Sequence, residues 1–134
     1  MTAAPRFFRA LADRTRLRIV NLLARGPLCV CDIRRILGQP QSSVSRHLAL
    51  LKAAGLIRDR RDGIRVFYAL TTWDTALSRA VLAAIRAHLA AGGEYRNDVG
   101  ELSDLRTRGD CHEEPKAWSR RGSRTRRRDA RMEA

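Results

Sequence analysis

The sequence predicts a mainly α-helical fold with a small β-hairpin, arranged as a winged helix-turn-helix. Two observations carry this prediction: two helical patterns are joined by a tight turn over residues 28–54, and an alternating segment follows a hairpin signal at Asp62-Gly63. The 134 residues, of which 44% are hydrophobic, suit one domain with a modest core.

The N-terminal segment from Pro5 to Ala24 predicts two short helices. Apolar side chains recur at helical spacing, and they are Phe8, Leu11, Ala12, Ile19, Leu22 and Leu23. Asp13 or Thr15 is a suitable N-cap for the second helix, so we expect the break there. Gly26-Pro27 then ends the helical pattern.

The next two elements predict the helix-turn-helix. A third helix spans Leu28 to Leu37, and Gly38 ends it as a left-handed C-cap residue. After the turn at Gln39-Pro40, a fourth helix runs from Gln41 to Ala54.

A β-hairpin wing and a last helix follow. Ile64, Val66, Tyr68 and Leu70 alternate with other residues, which predicts that they form the apolar face of a strand. The helix predicted over Trp73–Ala91 carries a long apolar stripe, more than one small domain can cover. We therefore expect a homodimer in which the first and last helices pack against a symmetry mate.

The domain organisation follows from where the helical pattern fails. We expect a DNA-binding and dimerisation domain over residues 1–95 and a basic, disordered tail over residues 96–134. The net charge of +13 indicates a polyanionic partner, which we interpret as double-stranded DNA. The arginine cluster of residues 120–131 either adds sequence-independent DNA affinity or is a solvated tail.

The start of the fourth helix is the candidate reading surface. Its polar residues are Gln41, Ser42, Ser43, Ser45, Arg46 and His47. A helix in the major groove presents its N-terminal residues to base edges. Ser43 could instead cap the helix, and His47 could instead make a structural hydrogen bond.

Basic residues around the hairpin tip are a second candidate DNA contact. They are Arg58, Arg60, Arg61 and Arg65, and they suit phosphates or the minor groove. The alternative is a solvated turn, because Asp59 and Asp62 offset part of the charge.

Three cysteines, Cys29, Cys31 and Cys111, are too few and too uneven for a secreted disulfide framework. The chain has no signal-like start and no apolar run long enough for a membrane span, so we expect a reducing cytoplasm. Thiolates select soft ions. On an ideal helix Cys29 and Cys31 would point about 200° apart, so chelation by both would distort the start of the third helix.

Other interpretations of the cysteine pair remain open. Cys29 and Cys31 could be small core residues, or a redox couple that responds to oxidants. A dithiol enzyme is disfavoured because no thioredoxin-like pattern surrounds the pair, and no catalytic triad or paired carboxylates stand out. We therefore expect a protein that is not an enzyme.

Two segments in combination resemble a known family. The segments Leu28–Ile33 (LCVCDI) and Ser43–Leu51 (SVSRHLALL) resemble the ArsR/SmtB winged-helix repressors, specifically the arsenite-responsive type, and the likeness extends over Pro5 to Ala91. The resemblance implies a homodimeric repressor on operator DNA that dissociates when As(III) or Sb(III) binds the cysteines. It implies no organic cofactor.

The chain departs from that family pattern at one ligand position. Many arsenite-responsive relatives carry a third cysteine where this chain has Arg34. Cys111 is the candidate replacement in the metal site, and the competing interpretation, which the sequence favours, is an incidental exposed thiol in a disordered tail. Asp74 and His88 do not have the spacing of the zinc-sensing branch. A thiol redox-switched repressor and a cadmium- or lead-responsive repressor remain as alternatives.

Overall fold

The computed structural model describes residues 4–113, and the predicted arginine cluster of residues 120–131 lies outside them. The elements are α1 (Ala4–Leu11), α2 (Arg14–Leu23), β1 (Leu28–Cys29), α3 (Val30–Leu37), α4 (Gln41–Ala53), β2 (Ile57–Asp62), β3 (Arg65–Leu70), α5 (Ala76–His88) and α6 (Gly93–Thr107), with a short 3-10 turn over Leu89–Ala91. No helix within the described residues is both long and apolar enough to cross a membrane.

The predicted helix-turn-helix is confirmed. Asp13 caps α2, and its carboxylate accepts a hydrogen bond of 3.0 Å from the Arg16 amide. Gly38 ends α3 with φ at 63°, a conformation that costs glycine little because it has no Cβ. Helix α4 then begins at Gln41, and its inward side chains Val44, Leu48 and Leu51 are fully buried.

The third helix was predicted to begin at Leu28, and this is wrong. Leu28 and Cys29 form the two-residue strand β1, and α3 begins at Val30. Strand β1 pairs antiparallel with β3, placing Cys29 opposite Phe67, and the sheet order is β1-β3-β2. The partner strand is distant in sequence, so the helical spacing of apolar residues did not reveal this pairing.

The hairpin is confirmed, and on its predicted apolar face Tyr68 and Leu70 are half-buried against the main core. The opposite face of β3, which was not predicted to be apolar, is buried more deeply. The two-residue turn Gly63-Ile64 joins β2 to β3. Phe67 and Ala69 are 1% and 5% exposed, whereas Ile64 is fully exposed. Both faces of β3 therefore carry apolar residues, and the more deeply buried face is the one on which Phe67 and Ala69 pack with Cys29.

The last predicted helix is shorter than expected. Helix α5 begins at Ala76 behind Thr75, whose hydroxyl accepts a 3.0 Å hydrogen bond from the Ser78 amide in a capping box. Trp73 lies before the helix, and its indole N–H donates to the Leu56 carbonyl. Trp73 also packs edge-on against Phe7, which is buried, so Phe7 takes the inward position that the helical pattern gave to Phe8.

The predicted domain boundary at residue 95 falls inside α6, so residues 96–107 are helical and part of the fold. Leu102 and Leu105 join the hydrophobic core. Asp98, 4% exposed at its side chain, accepts hydrogen bonds of 2.8 and 2.9 Å from the Arg18 guanidinium. Helix α6 is thereby fixed against α2, and the segment after it is carried towards α3.

Candidate functional site

The thiol pair lies where β1 becomes α3. Cys29 has extended backbone angles and caps the helix, and its sulfur accepts a 3.3 Å hydrogen bond from the Cys31 amide. The two sulfurs are joined as a disulfide, with the Cα atoms 5.2 Å apart. The expectation that both thiols converge only by unwinding the helix is therefore wrong, because Cys29 lies outside the regular helix and its extended backbone turns its sulfur towards Cys31.

The pair is in contact with the wing. Cys29 is 1% exposed and packs with Phe67 and Ala69 of β3, while Cys31 lies at the edge of the same cluster. Tightly packed interiors accommodate added volume poorly. A ligand on these sulfurs therefore acts directly on the strand that leads to the wing tip.

Arg34 of α3 makes a hydrogen bond to the reading helix beside the thiol pair. This residue is exposed one turn after Cys31, and its Nη1 donates a 3.2 Å hydrogen bond to Oε1 of Gln41, the first residue of α4. A cavity of about 290 Å³ lies between the thiols, the start of α4 and the wing turn. It is lined by Cys29, Val30, Cys31, Arg34, Gln41, Ile64, Arg65 and His112.

The structure brings His112 to the thiol pair. Nδ1 of His112 lies 3.3 Å from the Cys31 sulfur, and one ligand atom from each of Cys29, Cys31 and His112 lies within 4.8 Å of the others. Sequence reasoning missed this residue, although it directly follows Cys111, the predicted third ligand. The signal available was the Cys111-His112 adjacency, which offers two kinds of ligand at one place.

Cys111, the predicted third ligand, faces a carboxylate instead. Its sulfur lies 3.5 Å from Oδ2 of Asp32, and the three-residue ligand cluster identified within residues 4–113 does not include it. Burial and then the negative charge of Asp32 raise the pKa of the Cys111 thiol. The thiolate is the metal-binding form, so this environment disfavours Cys111 as a ligand.

Asp32 anchors the segment after α6. The side chain is 1% exposed and accepts a 3.0 Å hydrogen bond from the His112 amide, with His112 Nδ1 3.1 Å from its other oxygen. Asp32 lies in the first turn of α3, where the helix dipole favours a negative charge. The carboxylate therefore holds residues 111–112 beside the thiol pair.

The predicted reading residues divide between exposed and internal positions. Gln41, Ser42, Ser45 and Arg46 are exposed on α4. Ser43 does not cap the helix, because its hydroxyl donates to the Gln39 side chain at 3.2 Å.

His47 is turned towards α2. Its side chain is 20% exposed, and Nδ1 lies 3.3 Å from Arg16 Nη1 and 3.7 Å from Asp13 Oδ1. The structure thus places His47 in the intramolecular contact that was considered as its alternative role. At the wing, Arg61 and Arg65 are exposed and Arg60 is half-buried.

Comparisons with known proteins agree with this architecture. Residues 13–59 match the model of the arsR family of bacterial regulatory proteins. The chain is 39% identical over 102 residues to the arsenic resistance transcriptional regulator ArsR1 of Pseudomonas putida, covering 72% of this chain and 80% of that protein. It is 54% identical over 65 residues to the arsenical resistance operon repressor of Escherichia coli, covering 48% of this chain and 56% of that protein.

A solved structure shows the same fold. The homodimeric winged helix-turn-helix DNA-binding domain of a Mycobacterium bovis protein is similar with a TM-score of 0.54 and 35% identity, covering 66% of this chain and 82% of that one. The family match spans α2 to the start of the wing, and the curated relatives extend the similarity beyond it. The chain therefore belongs to the arsR family and is a DNA-binding transcriptional regulator, not an enzyme.

Proposed function

We propose that this protein is a metalloid-responsive repressor that holds double-stranded operator DNA and releases it when As(III) or Sb(III) binds the thiolates of Cys29 and Cys31. One observation carries the proposal: the two thiols converge between the wing strand and the reading helix, packed on Phe67 and beside the hydrogen bond from Arg34 to Gln41. The names of the relatives in Pseudomonas putida and Escherichia coli, both linked to arsenic resistance, support it.

The chemistry of the pair fits a soft, trivalent ion. In the cytoplasm, where we propose that the protein acts, the reducing environment keeps Cys29 and Cys31 as free thiols. Each thiol loses a proton to a hydroxide of the arsenous acid, water leaves, and an As–S bond replaces an As–O bond without change of oxidation state. An exogenous thiol or hydroxide fills the third position on the ion.

The position of the pair explains how binding reaches the DNA. An ion between Cys29 and Cys31 adds volume beside Phe67 on one side and beside the Arg34–Gln41 hydrogen bond on the other. The added volume displaces the wing relative to α4, so that the two no longer fit DNA together. The ligand binds this displaced conformation more tightly than the DNA-binding conformation. The population therefore shifts away from the DNA-binding state.

We propose that the repressor acts as a homodimer formed through α1 and α5. Phe8 and Leu77 are large apolar side chains that are 45% and 46% exposed on these two helices, and a dimer interface there would bury them. The similar Mycobacterium bovis domain is homodimeric. A two-fold dimer would place two copies of α4 on an inverted repeat.

A titration of the DNA complex tests the function. Operator DNA is first selected from a random-sequence pool, and its complex with reduced protein is then titrated with arsenite or antimonite while fluorescence anisotropy reports release. We expect release by both metalloids. If neither releases DNA at saturation, the metalloid proposal is wrong.

The disulfide between Cys29 and Cys31 favours a second candidate, a thiol redox-switched repressor. In that case peroxide would release the operator by oxidising the pair, and arsenite in reducing buffer would not. The same titration with peroxide in place of metalloid separates the two functions.

Replacing Arg46 by alanine is expected to weaken operator binding by about 1–3 kcal/mol and to relax selectivity at one base position, since we propose that this exposed residue on α4 pairs with a base. Arg61→Ala is the matched control at the wing. If Arg61 contacts a phosphate, Arg61→Ala should weaken binding to all sequences alike. It should also lower the slope of log affinity against log salt concentration by about 1. Anisotropy with operator and scrambled duplexes at several salt concentrations measures both. Equal losses on both duplexes for Arg46→Ala would mean that Arg46 contacts only the backbone.

A further inference from the structure

We propose that His112 completes a site of two sulfurs and one nitrogen with Cys29 and Cys31, and that this site binds a thiophilic divalent cation of the zinc and cadmium type. The proposal needs only the reduced thiol pair. It does not depend on a response to arsenite or antimonite, and it assigns a ligand from the segment after α6.

The spacing of the three residues fits one ion. Their ligand atoms lie within 4.8 Å of one another, and His112 Nδ1 is 3.3 Å from the Cys31 sulfur. Zn–S bonds of about 2.3 Å and Zn–N bonds of about 2.0 Å place two ligands of one zinc ion no more than about 4.6 Å apart. At the tetrahedral angle these bond lengths place the two sulfurs about 3.8 Å apart and each sulfur about 3.5 Å from the nitrogen. Once the disulfide is reduced, the sulfurs separate and the His112 ring moves by on the order of 1 Å to close the site.

A backbone contact helps to hold His112 beside the thiol pair. The His112 backbone N–H donates to Oδ2 of buried Asp32 at 3.0 Å, and this bond remains when Nδ1 gives up its proton to bind an ion. The 3.1 Å contact between Nδ1 and Oδ1 of Asp32 is given up when Nδ1 binds the ion, whereas the backbone contact is kept. Asp32 is thus a positioning residue that keeps His112 beside the sulfurs.

The donor set selects the class of ion. Imidazole nitrogen with two thiolates suits Zn²⁺ and Cd²⁺, whereas a trivalent metalloid prefers sulfur throughout. Binding releases the two thiol protons, the neutral imidazole supplies a lone pair after its proton moves to Nε2, and no electron is transferred. The neighbouring cavity of about 290 Å³ leaves room for an exogenous fourth ligand.

Metal titration of the full chain tests the site. Protein reduced with a phosphine is titrated with Cd²⁺ and with Co²⁺, and Zn²⁺ affinity is measured by competition with a chromophoric chelator. We expect one ion per chain, thiolate charge-transfer bands, and the intense visible bands of four-coordinate Co²⁺. His112→Ala should lower Cd²⁺ and Zn²⁺ affinity at least about 10-fold while the thiolate bands persist.

Two matched variants keep the result specific to His112. His88 lies exposed in the last turn of α5, so His88→Ala should bind both ions like the wild type. Cys111→Ser should also retain wild-type affinity, because the Cys111 sulfur faces Asp32 and not the thiol pair. The proposal is overturned if His112→Ala binds Cd²⁺ as tightly as His88→Ala does, or if Cys111→Ser is the variant that loses affinity.

The result of the metal titration can be distinguished from the result of the arsenite titration. A wild-type complex that arsenite does not release would end the metalloid proposal and leave the cation site standing. Conversely, Cd²⁺ could give thiolate charge-transfer bands while His112→Ala leaves the Cd²⁺ affinity unchanged. That result would rule out the three-ligand cation site and would not affect the metalloid proposal. Circular dichroism and urea unfolding of His112→Ala establish that the comparison is made on folded protein.

Discussion

Serine in place of Cys31 is expected to leave a protein that still binds operator DNA but that arsenite no longer releases. An alcohol is a hard, un-ionised oxygen at neutral pH, so the substitution removes one arm of a two-sulfur chelate. Loss of one arm of a bivalent contact lowers affinity by about 10²–10⁴-fold, since the second bond no longer forms intramolecularly. The midpoint of arsenite-induced release, measured by anisotropy, should rise accordingly.

Cys31 is a better position for this test than Cys29. Cys31 is half-buried, whereas Cys29 lies under Phe67 and Ala69, where burial of a serine hydroxyl costs stability. The bond that this hydroxyl can accept from the Cys31 amide offsets part of that cost. Cys29→Ser should abolish the response as well, but it needs a stability measurement beside it. Cys111→Ser is the control and should respond normally. A Cys31→Ser protein that arsenite releases at the wild-type concentration would refute the two-thiolate sensor.

Alanine in place of Asp98 is expected to lower the free energy of unfolding by about 1.5–3 kcal/mol. The mostly buried Arg18 guanidinium loses both of its hydrogen bonds to Asp98 and, among the described residues, keeps only Glu94, 3.9 Å away, as an ion-pair partner. The Arg18 side chain is 14% exposed and Asp98 4%, and both guanidinium hydrogen bonds are short. The pairing raises the pKa of Arg18, chiefly through its hydrogen bonds to Asp98. The guanidinium also stays charged without that partner, because the ordinary pKa of arginine lies far above neutral pH. Urea unfolding followed by circular dichroism measures the loss.

Two comparisons isolate the ion pair in that experiment. Asp104→Ala removes an exposed carboxylate from the same helix and should change stability by no more than about 0.5 kcal/mol. The double substitution Arg18→Met with Asp98→Leu should recover most of the unfolding free energy that Asp98→Ala loses. An apolar pair of similar volume leaves no buried guanidinium without its hydrogen-bond partner. A cost below about 1 kcal/mol for Asp98→Ala would mean that the pair does not fix α6 on α2.

The helix-turn-helix was predictable because its signals are local. Gly38 supplies the left-handed residue that ends α3, and Val44, Leu48 and Leu51 repeat at the helical period within a single element. The cap at Asp13 is local in the same sense, since its partner is the Arg16 amide. Each of these features is complete within a few residues of chain.

The errors concern contacts between distant segments. Strand β1 exists because Leu28 and Cys29 pair with β3, and this pairing brings Cys29 into the cluster with Phe67. Because β3 carries apolar residues on both faces, the alternating pattern alone does not predict which face is buried more deeply. Helix α6 was missed because its inward face combines Leu102 and Leu105 with the charged Asp98, whose partner Arg18 lies on another helix. His112 reaches the thiols only because α6 carries it there.

The contacts of α6 also set the order in which this chain folds. The Arg18–Asp98 bonds join residues 80 positions apart, and His112 meets Cys31 across 81 positions. Such loops close only after a substantial loss of chain entropy, so contacts of this range form late and local helices form early. Substitutions that loosen α6 therefore mainly accelerate unfolding and leave the folding rate little changed. On the ribosome, the thiols emerge long before their imidazole neighbour, and the complete three-ligand cluster exists only once nearly the whole described chain has been made.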